Sequence, residues 1–291
     1  MNKLQTSKLN LFIYVAPALL LLLAIVYVPI FQTGYFGLME WNGIGEKTFI
    51  GLENYIHLIK DSQFWASAYH SLILAVASIF SLVLYLAIAF VLASRIKGAN
   101  LFRKIYLIPM LLASVAIAQL WMKIYNPSNG MLNTFLMKIG ISDPPSWLGD
   151  ANLALYAIIL PTIWQYAGFY ILIYYAALKN VPDSLIEAAR IDGASPTQIA
   201  LKIKLPMIMN VVKVTIILAA VGSLKYFDLI YIMTGGGPSG SSEVMASYMY
   251  STAFNKFDFG YGSAIGFFLL VICLVVTLII QRLTIADKDL Y

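Results

Sequence analysis

The chain has 291 residues, of which 60% are hydrophobic and only 11% are charged, whereas soluble domains are about half apolar and a quarter charged. Its formal net charge of +5 does not indicate nucleic-acid binding, because the basic residues lie in short segments between apolar runs. The single cysteine excludes an internal disulfide, and His57 and His70 have no cysteine companion that would suggest a metal site. These features predict an integral membrane protein embedded in a lipid bilayer.

Apolar segments of about 20 residues, the length of a membrane-crossing helix, recur along the chain. No alternating pattern of about ten residues recurs, which disfavours a membrane barrel. The first segment is too long for a signal peptide and no cleavage site follows it, so we interpret it as an uncleaved span. The predicted fold is all-α and polytopic, with six spans at about Leu11–Leu38, Ala66–Ala93, Ile105–Tyr125, Asn152–Leu178, Met207–Met233 and Gly260–Leu283.

The distribution of basic residues predicts how these spans are oriented. With a cytoplasmic N-terminus, thirteen Lys and Arg residues fall inside and five fall outside, while Lys225 lies within a span. This positive-inside bias predicts that both termini are cytoplasmic. We expect residues 1–65 to hold the first span and first outer loop, residues 66–283 a core of five helices, and residues 284–291 a cytoplasmic tail.

The polar stretch at residues 180–206 separates the fourth and fifth spans and predicts two short helices. Gly193 can adopt a positive φ and end the first helix. Ser195 and Gln198 have the spacing of a capping box, which starts the second helix. Pro206 then closes that helix or kinks it into the next span. An ordered polar loop of this kind is either a docking element or a helical loop that lies on the lipid surface.

The same loop resembles the EAA signature of ABC importer permeases, E-A-A-x3-G-x9-I-x-L-P. The resemblance implies a type I ABC importer permease fold, in which this loop inserts into a cleft on an ATPase subunit. The residues to which it assigns the coupling role are Glu187, Ala188, Ala189, Asp192, Gly193, Ile203, Leu205 and Pro206.

Other motifs resemble those of sugar permeases of the carbohydrate-uptake group, and the chain is most similar to the first, maltose-permease-like partner. They include W-x3-G-F at Trp164 to Phe169, F-D…T-x-G-G-P at Phe227 to Pro238, and G-x-x-N at Gly130 to Asn133. The resemblance implies an assembly in the bacterial plasma (inner) membrane. Its partners would be a homologous second permease, two ATPase subunits and an extracytoplasmic sugar-binding protein.

No P-loop motif occurs in the chain, and no constellation of nucleophile and base supports an enzyme acting alone. We therefore expect no catalytic residue and no cofactor in this chain, with ATP and Mg²⁺ bound by the partner ATPase subunits.

The resemblance to the maltose permease also implies a sugar path near the middle of the fourth and fifth spans. The corresponding positions are Gln165, Tyr166, Phe169, Ser223 and Tyr226. Aromatic faces and hydroxyl groups suit a sugar, but such polar groups also form hydrogen bonds between membrane helices, and both interpretations stay open. Lys225 and Asp228 are three residues apart in the fifth span, and we favour a structural ion pair over sugar binding for them.

The function implied is that of a permease subunit, which forms half of the pathway of an ATP-driven, binding-protein-dependent sugar importer, with an oligosaccharide as the expected cargo. One alternative is a secondary sugar transporter driven by an ion gradient, which would need inverted repeats and a mid-membrane ion site. We see no internal repeat. The other alternative is a membrane scaffold that transports nothing. Neither alternative explains the spacing of the EAA signature.

Overall fold

The computed structural model describes residues 8–94 and 99–285, most of which are helical. The helices are α1 Lys8–Leu22, α2 Val28–Phe36, α3 Glu53–Lys60, α4 Ser62–Ala93, α5 Ala99–Leu111, α6 Ser114–Ile124, α7 Met131–Lys138, α8 Ala154–Lys179, α9 Asp183–Ile191, α10 Pro196–Ile199, α11 Leu205–Met207, α12 Met209–Leu224, α13 Asp228–Met233, α14 Met245–Tyr250 and α15 Phe259–Ile285. Three π-helical segments join neighbouring helices at Leu23–Tyr27, Ala200–Lys204 and Ser251–Asn255. Strands β1 Met39–Glu40 and β2 Thr48–Phe49 pair antiparallel.

Five of the predicted spans correspond to helical segments that are long and apolar enough to cross a membrane. They are Phe12–Phe36, Ser62–Ala93, Ala154–Lys179, Met209–Met233 and Phe259–Leu283. The predicted all-α, polytopic architecture is therefore confirmed. Part of the predicted tail, residues 286–291, lies outside the described residues, as do the basic residues Lys3, Arg95 and Lys97.

The third predicted span consists of two helices rather than one continuous helix. Lys104–Leu111 and Ser114–Ile124 meet at an angle of 102°. Pro109 has no N–H to donate to the preceding turn, which weakens the helix just before the break. The backbone at Ala113 is then extended, with φ −62° and ψ 140°. Counted as one broken span, this pair brings the total to six.

The fifth span is also interrupted, between Lys225 and Phe227. Helix α12 ends at Leu224, and α13 begins at Asp228 after Phe227 adopts φ −134°. Lys225 and Asp228, three residues apart in this predicted span, therefore do not lie on one continuous helix.

The chain divides into two compact units, and the smaller comprises the described residues of 1–61 together with 249–271. In this unit, α3 is fastened to the end of α2 and to the strand that follows it. Asn54 donates from its side-chain amide to the carbonyls of Gly37 and Met39, at 3.1 and 2.9 Å. The Tyr55 hydroxyl donates to the Gly34 carbonyl at 3.0 Å, and burial raises the pKa of this phenol.

The larger unit comprises residues 62–248 with the described residues from 272 onward, and α4 packs in it against α8 and α12. One buried cluster joins the C-terminal half of α4 to Tyr174 of α8 and to the loop after α8. A second cluster joins Leu74 of α4 to the N-terminal part of α8 and to α6 and α13. Gly168 lets α8 approach α5 closely, because a side chain there would overlap the Tyr106 carbonyl. Members of both clusters line the candidate site.

Candidate functional site

A cavity of about 440 Å³ lies within the larger unit, near the middle of α8. Its walls come from α4, α8, α12, the break after α12, and α15, and they carry aromatic rings, hydroxyl groups and aliphatic side chains. The lining residues are Ser78, Ser81, Tyr85, Thr162, Ile163, Tyr166, Phe169, Tyr170, Ile217, Leu218, Ala219, Val221, Gly222, Ser223, Lys225, Tyr226 and Thr277. A cavity of this size that combines apolar walls with a few polar groups is typical of a small-molecule site.

Four of the five residues predicted to line a sugar path do line this cavity, namely Tyr166, Phe169, Ser223 and Tyr226. Gln165 does not line it. Its side chain is only 7% exposed, and its Oε1 accepts a hydrogen bond from the Tyr226 hydroxyl at 3.4 Å. Gln165 thus contacts Tyr226, which lines the cavity, without lining the cavity itself.

The aromatic rings of the wall stand in two pairs. Tyr166 and Tyr226 meet edge to face with centroids 6.2 Å apart, while Tyr85 and Tyr170 are stacked at 5.9 Å. Phe169 packs its edge against Tyr170 at 5.1 Å. These are favourable arrangements of aromatic pairs, and they line the cavity with flat aromatic rings.

Several of the polar groups also form hydrogen bonds between helices, as the alternative interpretation predicted. The Ser223 hydroxyl donates to Ser78 at 2.8 Å, and the Tyr85 hydroxyl donates to the Ile163 carbonyl at 2.7 Å. The two interpretations are compatible, because a hydroxyl that donates to a neighbour still has acceptor lone pairs for a ligand.

The wall that α4 contributes was not predicted from the sequence, and it consists of Ser78, Ser81 and Tyr85. These residues follow the i, i+3, i+7 spacing of one helix face. That spacing was visible in the sequence as a polar stripe in an apolar span. The contribution of Thr277 from α15 had no comparable local signal.

The loop after α8 has the predicted helix–turn–helix form. Helix α9 ends at Ile191, and Gly193 adopts φ +79°. The Ala194 N–H then donates to the Ala189 carbonyl at 2.9 Å, which closes the turn. Both bonds of the predicted capping box are present: Gln198 N–H donates to Ser195 Oγ at 3.3 Å, and Ser195 N–H donates to Gln198 Oε1 at 2.8 Å.

This loop has one face packed on the larger unit and one face exposed. Val181, Ile186, Ala189 and Ile199 are buried in the core cluster of α4 and α8, whereas Ile191 is 86% exposed. The predicted coupling residues differ in their exposure to solvent. Ala189 is buried, and Ile203 and Leu205 are partly buried. The exposed ones are Glu187, Ala188, Asp192, Gly193 and Pro206. The signature therefore contains both anchoring positions and surface positions.

The Gly-x-x-Asn motif organises the loop between α6 and α8. Gly130 leaves room for the Asn126 carbonyl, which a side chain would overlap. Asn133 is almost completely buried, and its Oδ1 accepts a hydrogen bond from the Trp147 indole at 2.7 Å. The Gly-x-x-Asn motif therefore has a structural role in this loop.

The ion pair favoured for Lys225 and Asp228 is not formed. Asp228 accepts a hydrogen bond from the Ser114 hydroxyl, at the start of α6, at 3.0 Å. Among the residues that the structure describes, no ion pair joins Lys225 to Asp228, and Lys225 lines the cavity instead.

The apolar spans, the cavity among them and the ordered polar loop together define a membrane permease. The sequence profile of the family described as "Binding-protein-dependent transport system inner membrane component" matches residues 62–284. The chain belongs to this family, as the EAA signature predicted.

Individual proteins agree with this assignment. The chain is 36% identical to the probable ABC transporter permease protein YurN of Bacillus subtilis over 288 residues, which cover 97% of this chain and 98% of YurN. It is 33% identical to the trehalose/maltose transport system permease protein MalF of Thermococcus litoralis over 279 residues, 95% of this chain and 94% of that protein.

A solved structure confirms the predicted ABC importer permease fold. A chain in the crystal structure of a bacterial ABC transporter involved in the import of the acidic polysaccharide alginate matches with a TM-score of 0.84. The match has 23% sequence identity and covers 96% of each chain.

Proposed function

We propose that this chain is one of two homologous permease subunits of an ATP-driven importer, and that its cavity is part of the pathway of a sugar. The observation that carries the proposal is the composition of the cavity wall. Rigid tyrosine and phenylalanine rings offer flat faces to sugar rings, and serine, threonine and tyrosine hydroxyls offer partners to sugar hydroxyls. The trehalose/maltose system to which one relative belongs supports a saccharide cargo.

The exposed face of the loop after α8 is proposed to dock on an ATPase subunit. Buried Ile186 and Ala189 fix the loop to the core, so a force on the exposed side would be transmitted to α4 and α8. The exposed apolar residues Leu185, Ile191 and Leu201 would be covered by the partner. In this role Glu187, Ala188, Asp192, Gly193 and Pro206 contact the ATPase, while Ala189, Ile203 and Leu205 hold the loop's shape.

In the assembled importer, ATP and Mg²⁺ would bind to the separate ATPase subunits, and an extracytoplasmic binding protein would deliver the sugar. Closure of the ATPase dimer would draw two docked loops together and rock the spans, so that the cavity opens to alternate sides. Residues 66–283 would form the moving core, residues 1–65 the added first span, and residues 284–291 a tail in the cytoplasm with the N-terminus.

Uptake measurements with the complete set of subunits test this proposal. A labelled saccharide should accumulate in cells treated with an uncoupler, and accumulation should stop when ATP is depleted. Loss of uptake with the uncoupler while ATP is maintained would instead favour an ion-driven secondary transporter. No saccharide uptake in either condition would favour a scaffold without transport activity.

A further inference from the structure

Lys225 is an ionisable residue inside a membrane-spanning segment. The candidate span runs from Met209 to Met233, so Lys225 lies eight residues from its nearer end. It follows the last residue of α12, where its charge is favoured by the helix dipole. Charges at such depth are rare and usually mark a partner or a substrate.

None of the described residues that line the cavity carries a carboxylate. Among the described residues that line the cavity, Lys225 is the only one charged at neutral pH, and the others are apolar or carry hydroxyl groups. Lys225 thus shares the cavity wall with rings such as those of Tyr166 and Tyr226. A lone charge in such surroundings is stabilised when a group of opposite charge enters.

The nearest acidic residue in sequence, Asp228, has a hydrogen-bond partner of its own. It begins α13, on the far side of the helix break, and accepts the hydrogen bond from Ser114 of α6. As noted above, no ion pair joins Lys225 to Asp228 in the described part of the chain. Asp228 therefore does not neutralise Lys225 through an ion pair, although its charge acts on the cavity residues Tyr166 and Tyr226.

We infer that Lys225 binds a carboxylate of the transported sugar, so that the cargo of this pathway is a saccharide containing a uronate residue. The inference rests on the proposed function, because it assigns a chemical class to the cargo of the same cavity. The carboxylate would accept a charge-assisted hydrogen bond from the ammonium. The tyrosine rings and the hydroxyls of Ser223 and Thr277 would contact the rest of the sugar.

A carboxylate fits better than the other candidates for this position. A neutral hydroxyl would leave the intramembrane charge unbalanced. A phosphate carries close to two negative charges at neutral pH, and one lysine would neutralise only part of them. A single ammonium among uncharged walls matches a group with one negative charge.

The test compares a uronate disaccharide with its neutral counterpart, in which the carboxylates have been reduced to hydroxymethyl groups. The complete importer is reconstituted in liposomes, and the affinity of the binding protein for each sugar is measured separately, so that uptake is compared at saturation. We expect wild-type uptake of the uronate. Lys225→Met should lower it about tenfold or more, since hydrogen bonds to charged groups contribute about 1.5–3 kcal/mol.

Two variants keep this result interpretable. Lys225→Arg retains the charge and should retain most of the uronate uptake. Lys123→Met removes an exposed lysine at the end of α6 that does not line the cavity, and should leave uptake unchanged.

Two outcomes would overturn the assignment of cargo while leaving the importer proposal intact. One is that the wild type carries only the neutral sugar. The other is that Lys225→Met carries the uronate at the wild-type rate. If the wild type takes up no saccharide at all, the proposed function itself fails and the assignment of cargo fails with it.

Discussion

Tyr166 and Tyr226 are the residues whose loss should most directly affect a sugar in the cavity. Both line the cavity, and their rings are in edge-to-face contact with centroids 6.2 Å apart. We expect Tyr166→Ala and Tyr226→Ala to lower uptake more than the corresponding Phe variants. Loss of one neutral hydrogen bond corresponds to about 0.5–1.5 kcal/mol, or roughly a two- to tenfold decrease, and the Ala variants lose the ring contact in addition.

Transport assays on reconstituted protein check this order, with the affinity of the binding protein measured alongside. Tyr156→Ala is a matched control, because Tyr156 is an exposed tyrosine of the same helix, α8, that does not line the cavity. Wild-type uptake by both cavity Ala variants would mean that these tyrosines only pack helices. The sugar would then bind elsewhere or in the sister permease.

At the scale of helices, the close contact between α5 and α8 depends on the absence of a side chain at Gly168. A Cβ there would overlap the Tyr106 carbonyl, which is backbone and has little room to move. We expect Gly168→Ala to destabilise the protein by about 1–3 kcal/mol, the range of overpacking substitutions. The midpoint of thermal unfolding in detergent should fall.

Gly222→Ala is the control for this experiment, since a Cβ at Gly222 meets nothing within 4 Å. Alanine favours a helix over glycine by about 0.5–1 kcal/mol, so this variant should unfold at the wild-type temperature or higher. Equal unfolding midpoints for the two variants would show that the α5–α8 contact contributes little to stability.

The loop after α8 depends on the conformation of Gly193 more than on its size. No atom lies within 4 Å of a Cβ added there, but its φ of +79° disfavours L-residues. Valine in this conformation costs about 1–2 kcal/mol, whereas asparagine tolerates it better. We expect Gly193→Val to reduce substrate-stimulated ATP hydrolysis of the assembled importer and Gly193→Asn to retain most of it. Full stimulation in the Val variant would argue against a coupling role.

Substitutions that change the charge of Glu187 test the role of the exposed face of the same loop. It lies on α9 with its side chain exposed, so a substitution there should affect docking without affecting folding. We expect Glu187→Lys to reduce transport and stimulated ATP hydrolysis while the permease still reaches the membrane, and Glu187→Gln to be milder. If Glu187→Lys couples normally, the contact with the ATPase lies on another part of the loop.

These elements differ in how far the sequence predicts them. The glycine turn and the capping box could be predicted, because each depends on residues at most five positions apart. The break in the third span could not be predicted in this way. Pro109 is its main local signal, and the other contacts that determine it are distant in sequence. The hydrogen bond between Ser114 and Asp228, which fastens the second half, joins residues 114 positions apart. The α4 wall of the cavity likewise depends on which helices pack together, and that is decided by contacts distant in sequence.

At the scale of the whole molecule, the proposed function requires the loop after α8 and the loop between α7 and α8 to lie on opposite sides of the membrane. The count of thirteen basic residues inside and five outside predicts that residues 180–206 face the cytoplasm. Cysteine labelling in a Cys273→Ser background tests this orientation. Ser142, between α7 and α8, and Thr197, in α10, are both exposed and suit the substitution.

We expect Ser142→Cys to react with a membrane-impermeant maleimide in spheroplasts, and Thr197→Cys to react only after the membrane is permeabilised. Thr197 is chosen over Ser195 because Ser195 caps α10, and its loss would weaken the helix that the experiment probes. Labelling of both variants in denaturant establishes that each cysteine is reactive. The reverse pattern would place the loop on the side without ATP, where an ATPase subunit could not reach it. That result would reject the proposed orientation and the coupling role of the EAA signature together.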